Sequence, residues 1–293
     1  MRTVRVLTET GMAGPAVDVT VFVTTRDALL DTQDAFDSVA TGYDQSNETN
    51  RVIRMMRSRL IAAITSAVPR GGHLLDVGCG PGRDAATLAK AGYRVTAIDW
   101  SPAMIGQTLR RVTNEDLEGR VQVRHLGIHQ LNKLDLGPFD GAYSDLGPLN
   151  CVPDLNEAAR ALANQLHPGG VLVASVIGRF CPWEMALYSA RGNFARAGLR
   201  FERDLVAVPL NGRKVWTRYV WPSEFQQAFV RAGFEPVSLR ALGLAVPPPY
   251  LEGFANRHPR LLSFLEGLDD RIGGWPLLRH WGDHFLIVLR KSQ

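Results

Sequence analysis

The sequence predicts an α/β protein whose core is a parallel sheet flanked by helices. Three observations predict it. Strand-like apolar runs alternate with helix-like segments between residues 73 and 177, as a parallel sheet requires, because each crossover needs a helix. One run, Leu74-Leu75-Asp76-Val77, breaks into Gly78-Cys79-Gly80-Pro81-Gly82 just before a helix opens at Arg83. Glycines at that spacing clear side chains from a turn, so a ligand can lie against backbone N–H groups. The next strand runs into Asp99, seventeen positions after Gly82. An acidic residue at the tip of the second strand is where nucleotide-binding α/β folds hold a ribose diol.

The elements follow in order. Residues 1–30 carry β-branched or alternating runs at 3–7 and 17–25 around Gly11 and Gly14, which fit an edge hairpin or an attached extension. Asp31 or Thr32 can cap a helix carrying Phe36, Val39 and Ala40. Val52, Ile53, Met56, Leu60, Ile61 and Ile64 stand at helical spacing and predict an amphipathic helix over 50–68. Strand one covers 73–77, and its helix ends at Gly92, a natural residue after a helix C-cap. Strand two runs over 93–98. Ser101-Pro102 supplies an N-cap and a first-turn proline for the next helix. Strands three and four cover 121–125 and 141–144. Asp154 and Glu157 have capping-box spacing, and their helix ends at Pro168-Gly169-Gly170, before strand five at 171–177. Beyond Gly178 the insertions lengthen. They give a helix over 180–197, a hairpin of 205–209 and 214–219 turning at Asn211-Gly212, and a helix over 223–232. A sixth strand covers 236–241. Pro247-Pro248-Pro249-Tyr250 then introduces mostly helical residues before the last strand, 285–289. We expect an N-terminal extension, 1–30, and one domain, 31–293. Its binding half is 70–177, and insertions at about 178–222 and 243–283 wall the substrate and form a lid.

Composition narrows the function. With 45% hydrophobic and 21% charged residues the chain is an ordinary globular protein. No apolar run reaches the length of a membrane span, and the N-terminus lacks a signal pattern, so a cytoplasmic protein is expected. Cys79, Cys151 and Cys181 are odd in number and scattered, which fits a reducing compartment and offers no zinc cluster. The net charge of +4 rests mostly on arginines that do not interleave with aromatics, which argues against a nucleic-acid partner. His125 with His129, and His280 with His284, stand four apart, but neither pair carries the HExxH glutamate. No metal is therefore expected. A homo-oligomer stays open.

Two cofactor families share this layout, and the glycine register separates them. A nicotinamide fingerprint needs GxGxxG, and its third glycine position is occupied by Arg83. The register present, GxGxG preceded by Asp76, resembles motif I of class I S-adenosylmethionine-dependent methyltransferases of the small-molecule type. Leu166-His167-Pro168-Gly169-Gly170 with the strand after it is similar to that family's helix–PGG–strand signature. Asp99-Trp100-Ser101-Pro102 resembles its acidic post-strand motif, and the segment from Phe36 to Asp44 its F..VA..YD entry. The resemblance covers about 35–177 and a final strand near the C-terminus.

That resemblance implies a Rossmann-like, doubly wound, seven-stranded and mostly parallel sheet in order 3-2-1-4-5-7-6, with the last strand antiparallel. It implies S-adenosylmethionine as cofactor. Gly78, Gly80 and Gly82 then lie under its methionine part, with Asp76 ordering the loop or meeting the ammonium. Asp99 takes both ribose hydroxyls, Trp100 lies against adenine, and Tyr43 closes over the cofactor. One of Arg51, Arg54, Arg57 and Arg59 can reach its carboxylate. The family's acidic residue after strand three is missing. Leu126-Gly127-Ile128 fills that slot, leaving the Ile128 backbone for adenine, with His129 nearby. Strand four ends in Tyr143-Ser144-Asp145-Leu146-Gly147-Pro148-Leu149-Asn150, the floor of the methyl-transfer site in the family. Ser144 and Asp145 then face the cofactor or the reaction, and Asn150 the substrate. An Asp/Asn-Pro-Pro-Tyr/Phe run is absent, which argues against nucleobase amino methylation.

The insertions should supply an aromatic pocket from Phe180, Trp183, Tyr188, Trp216, Tyr219, Trp221 and Tyr250, with Trp183 and Tyr250 on the substrate. Tyr43 and Tyr250 should stand at the entrance of the lid. His258, His284 and Asp145 are the candidate catalytic groups, although transfer to a good nucleophile needs alignment more than a base. The expected function is methyl transfer to oxygen, nitrogen or carbon of a small-molecule acceptor by in-line displacement. RNA or protein methylation, or a noncatalytic cofactor-binding scaffold, are the rival readings.

Overall fold

The computed structural model describes residues 2–7, 18–133 and 137–293, with 2–7 and 18–23 described by their backbone alone. Strands β1 (Arg2–Leu7) and β2 (Asp18–Val23) pair antiparallel as a separate two-stranded ribbon. The turn expected at Gly11 and Gly14 lies outside the described residues. Helix α1 (Thr25–Thr49) starts earlier than Asp31 or Thr32. Thr24 Oγ1 accepts from the Asp27 N–H at 3.1 Å while the Asp27 carboxylate accepts from the Thr24 N–H at 3.3 Å, a reciprocal cap that opens the helix there. Asn50 caps α2 (Arg51–Ala67) by accepting from the Val52 and Ile53 N–H groups. Val52, Met56, Leu60 and Ile64 form its buried stripe.

The core then runs β3 (His73–Val77), α3 (Arg83–Lys90), β4 (Arg94–Asp99), α4 (Pro102–Asn114), β5 (Val121–His125), β6 (Phe139–Ser144), α5 (Leu155–Gln165) and β7 (Leu166–Ile177). Strand β7 begins before the Pro168-Gly169-Gly170 turn rather than after it. The expected helix over 180–197 is two, α6 (Pro182–Ala190) and α7 (Phe194–Ala197), broken at Gly192, whose φ is +70°. Strands β8 (Val206–Leu210) and β9 (Arg213–Thr217) make the expected hairpin; Asn211 and Gly212 take φ of +50° and +72°, as its two-residue turn requires. Helix α8 (Pro222–Arg231), β10 (Phe234–Leu242), α9 (Glu252–Arg257), α10 (Pro259–Ile272) and β11 (His284–Lys291) complete the chain.

The main sheet has seven strands in the order β10-β11-β7-β6-β3-β4-β5, with β11 antiparallel to both neighbours. Counted along the chain, this is 3-2-1-4-5-7-6, as the resemblance implied. Successive residues of β3 face opposite ways. Leu74 packs with Met56, Leu60 and Leu88 on one side, and Leu75 with Phe139, Leu162 and Phe225 on the other. Both faces are thus covered, which is why the inner strands read as apolar runs. The carboxyl ends of β3, β4 and β6 meet at one edge, where ligands gather in such sheets.

Candidate functional site

The loop after β3 is built by its glycines in two ways. Gly78, Gly80 and Gly82 have φ of +79°, +52° and +76°, a region that glycine enters freely. A Cβ on Gly78 would lie 2.4 Å from Pro148 Cβ, and one on Gly82 2.6 Å from Thr108 Cγ2, whereas one on Gly80 would meet nothing within 4 Å. Two glycines therefore allow close packing, and Gly80 leaves space open. Asp99 ties the loop to the next helix. Its Oδ2 accepts from the Gly80 N–H and its Oδ1 from the Ser101 N–H, each at 2.8 Å. Burial pushes the Asp99 carboxyl above its ordinary range, against the pull of those two N–H donors.

A cavity of about 320 Å³ opens over this loop. At one end stands Trp100, stacked on His125 and met edge-on by His129, with Ile128 beside it. Its carbonyl accepts from Gln33 Nε2 at 3.0 Å, which draws α1 over the site. At the other end Asp145 and Leu146 follow β6, facing Arg57 of α2 and Asp84 of α3. Arg57 Nη1 bonds Asp84 Oδ1 at 3.0 Å. Burial, opposed by Arg57 and reinforced by Asp145, pushes Asp84 up to about 6. The far wall comes from α1 (Leu29, Phe36, Tyr43) and the hairpin (Val208, Leu210, Val215). The hairpin turns its other face to α1. Trp216 packs on Ala28 and Ala207, its N–H donates to Thr32 Oγ1 at 3.1 Å, and its Nε1–H to Asp31 at 2.8 Å.

Of the residues expected at the site, Tyr43, Gly78, Gly80, Asp99, Trp100, Ile128 and Asp145 line this cavity. Gly82, Asp76 and Ser144 stand behind it. Ser144 Oγ donates to the Val77 carbonyl at 2.9 Å, and Asp76 is buried, its carboxyl raised well above the usual range by burial and by Asp84. The other five expected residues lie outside the lining of this cavity. The Asn150 amide donates to the carbonyls of Ile177 and Arg218 and accepts from the Ile177 N–H. Trp183 donates to the Ala245 carbonyl at 2.8 Å. Tyr250 is 52% exposed and donates to Glu184. His258 precedes α10 with its ring 5.0 Å from Phe254. His284 opens β11, buried, with Nδ1 2.8 Å from Asp283.

The physical reason is where the 243–283 insertion packs. Arg51 grips Glu266 with two nitrogens, Arg59 pairs with Asp270, and Asn50 donates to the Pro249 carbonyl, so this segment lies on α2. None of the seven aromatics expected in the substrate wall lines the cavity; the wall is mostly aliphatic. Sequence reading missed Asp84, Leu146 and Leu29 as site residues, and left Arg57 as one arginine among four. An acid in the first turn of α3 was a weak signal for Asp84; no spacing pairs positions 57 and 84.

The residues present fit S-adenosylmethionine. Gly80 offers bare backbone, Asp99 stands at the strand tip for the ribose, and Trp100 offers a ring face for adenine, with Ile128 backbone alongside. Arg57 Nε and Trp100 Nε1 are buried and find no partner among the described residues, so a carboxylate at the Arg57 end would complete a site that the protein leaves unsatisfied.

Comparison with known proteins agrees with this geometry. Residues 74–170 match a family described as a methyltransferase domain. A ubiquinone biosynthesis O-methyltransferase of Alkalilimnicola ehrlichii is 30% identical over 220 residues, 74% of this chain and 81% of that one. The chain belongs to the class I S-adenosylmethionine-dependent methyltransferases. The enzyme of the same name from Xanthomonas axonopodis pv. citri is 37% identical over 113 residues, 38% of this chain, and the match spans only 45% of that relative's length. Among solved structures, Burkholderia thailandensis 1,6-didemethyltoxoflavin-N1-methyltransferase, with 1,6-didemethyltoxoflavin and S-adenosylhomocysteine bound, superposes with a TM-score of 0.58 at 18% identity over 94% of both chains. Geranyl diphosphate C-methyltransferase of Streptomyces coelicolor gives 0.53 at 15% identity, over 80% of this chain and 77% of that one. The cyclase SpnF gives 0.53 at 18% identity over 80% of both chains. At these identities the likeness is one of fold, and a cyclase among the neighbours shows that the fold alone does not fix the reaction.

Proposed function

We propose that this protein transfers a methyl group from S-adenosylmethionine to a small, largely apolar acceptor bound beneath α1 and the β8–β9 hairpin. One observation carries the reading: a single cavity joins the glycine loop and Asp99 to a wall of Leu29, Phe36, Val208, Leu210 and Val215. Bound S-adenosylmethionine supplies a methyl group on a positively charged sulfur, an electrophile with its leaving group already in place. The chain has to align the acceptor and keep water out. Asp99 and Trp100 fix the nucleoside end, Arg57 the carboxylate end, and the aliphatic wall excludes solvent. The hairpin and α1 act together, because Trp216 joins them.

The name of the Alkalilimnicola relative supports oxygen as the atom methylated, and the three unpaired cysteines fit a cytoplasmic enzyme. No described helix is long and apolar enough to cross a membrane. We read residues from Thr25 onward, rather than from 31, as the catalytic unit, since Leu29 of α1 reaches the cavity.

The test is incubation with methyl-labelled S-adenosylmethionine, a panel of small phenols and amines, and a host metabolite extract. Label is expected in a small apolar product. Label only in RNA or protein, or in nothing, would overturn the proposal.

A further inference from the structure

We propose that Asp145 takes the acceptor's proton and that Ser175 positions it, which makes the acceptor a hydroxyl compound; this rests on the methyl-transfer reading above. After β6 the chain turns through Leu146 and Gly147 with φ of +57° and +94°. A leucine holds a left-handed conformation only where its surroundings over-determine it, and such residues concentrate at functional sites.

Two side chains hold it here. Ser175 of β7, fully buried, accepts from the Leu146 N–H at 2.6 Å and donates to Asp145 Oδ1 at 2.5 Å. Asn150 clamps the far end of the turn onto Ile177 in both directions. The Ser175 hydroxyl thus spends its donor on Asp145 Oδ1 and accepts the N–H of the residue beside it.

The consequence lies at the second carboxylate oxygen. Asp145 lines the cavity, and its Oδ2 is buried with no donor among the described residues. A carboxylate oxygen without water or a donor is costly, so the site is completed by a ligand that brings one. Leu146, Gly147 and Ile177 also line the cavity. Arg57 from α2, Asp84 from α3 and Asp76 from β3 each interact electrostatically with Asp145. The Arg57 guanidinium is bonded to Asp84.

The step balances. The hydroxyl oxygen bonds to the methyl carbon as the carbon–sulfur bond breaks, and the electron pair of that bond stays on sulfur. The hydroxyl proton passes to Asp145 Oδ2. One positive and one negative charge vanish together, and the proton leaves to solvent when product does.

Two probes test this: catechol, which must lose a proton, and benzenethiol, which is largely ionised near neutral pH and needs no base. For wild type, Asp145→Asn and Ser175→Ala we would measure kcat and KM on both, the pH profile of kcat, and S-adenosylhomocysteine affinity by calorimetry. Asp145→Asn should lower catechol turnover by roughly 10²–10⁴-fold, the usual scale of acid–base catalysis, and remove its pH dependence. Ser175→Ala should lower it by a smaller factor with a displaced pH profile. Benzenethiol turnover and cofactor affinity should change by no more than a few-fold in both variants. Equal losses on the two probes would overturn the proposal. Weakened S-adenosylhomocysteine binding in Asp145→Asn would also overturn it, assigning Oδ2 to the cofactor's ammonium. A wild-type enzyme that methylates amines but neither catechol nor any other hydroxyl compound would overturn this inference alone. One that methylates nothing would overturn the methyl-transfer reading beneath it.

Discussion

Substituting alanine at Gly78 and at Gly80 should break two different things. At Gly78 the backbone has φ of +79°, and a Cβ would fall 2.4 and 2.5 Å from Pro148 Cβ and Cγ. The left-handed conformation costs an L residue about 1–2 kcal/mol. Overpacking against a proline ring, which has no rotamer to yield, adds about 1–3 kcal/mol. Gly78→Ala should therefore lose about 2–5 kcal/mol of stability from those two terms. At Gly80, with φ of +52°, a Cβ meets nothing within 4 Å, so only the conformational term of about 1–2 kcal/mol applies. That Cβ, however, enters the space where the cofactor approaches the backbone. Gly80→Ala should thus weaken S-adenosylhomocysteine binding at least tenfold, about 1.4 kcal/mol. Urea unfolding without cofactor and calorimetric titration separate the two losses. If Gly80→Ala destabilises the protein as much as Gly78→Ala, or binds S-adenosylhomocysteine like wild type, this account of the loop is wrong.

Other perturbations follow from the same geometry. Leu146→Gly should be more stable than Leu146→Ala by about 1 kcal/mol in denaturant unfolding, because both lose the side chain but only glycine relieves the left-handed strain; equal stabilities would mean that no strain is stored there. Asp84 is pushed up to about 6 from its ordinary 3.8, chiefly by burial. A raised carboxyl favours folding below its unfolded value and loses that contribution as pH rises through the folded one. Stability should therefore fall between about pH 4 and pH 6, and Asp84→Asn should make that slope shallower; an unchanged slope would remove Asp84 from the account. His258→Ala and His284→Ala should leave the pH profile of turnover intact, since neither histidine lines the cavity. A loss beyond about a hundredfold in either, within the range of a lost general base, would return that histidine to the mechanism.

What the sequence made legible was local. Gly78, Gly80 and Asp99 belong to one strand–turn–helix–strand unit, where spacing along the chain is spacing in space. The sheet order came from resemblance, and the parity of β9 sends Trp216 toward α1 and Val215 toward the cavity, as a period of two requires. The start of α1 was misjudged because its cap, Thr24 with Asp27, sits in a segment that otherwise reads as β. Asn150 looked like a ligand contact, but its partners are backbone groups of Ile177 and Arg218, far along the chain. His258 and Tyr250 read as lid residues because they stand in the insertion that Pro247-Pro248-Pro249 introduces. Nothing local says that residues near them dock on α2 through Arg51 and Arg59, while α1 and the hairpin wall the cavity. The left-handed Leu146 left no trace in the sequence, because its cause, Ser175, stands on another strand.

The most direct test is a calorimetric titration of wild type and Asp99→Ala with S-adenosylhomocysteine, S-adenosylmethionine and NAD. The site built from Gly80, Asp99 and Trp100 predicts saturable binding of the first two and none of NAD. It also predicts a loss of about 1–3 kcal/mol for Asp99→Ala, the scale of hydrogen bonds to a charged acceptor. Tight binding of NAD, or unchanged S-adenosylhomocysteine affinity in Asp99→Ala, would contradict it.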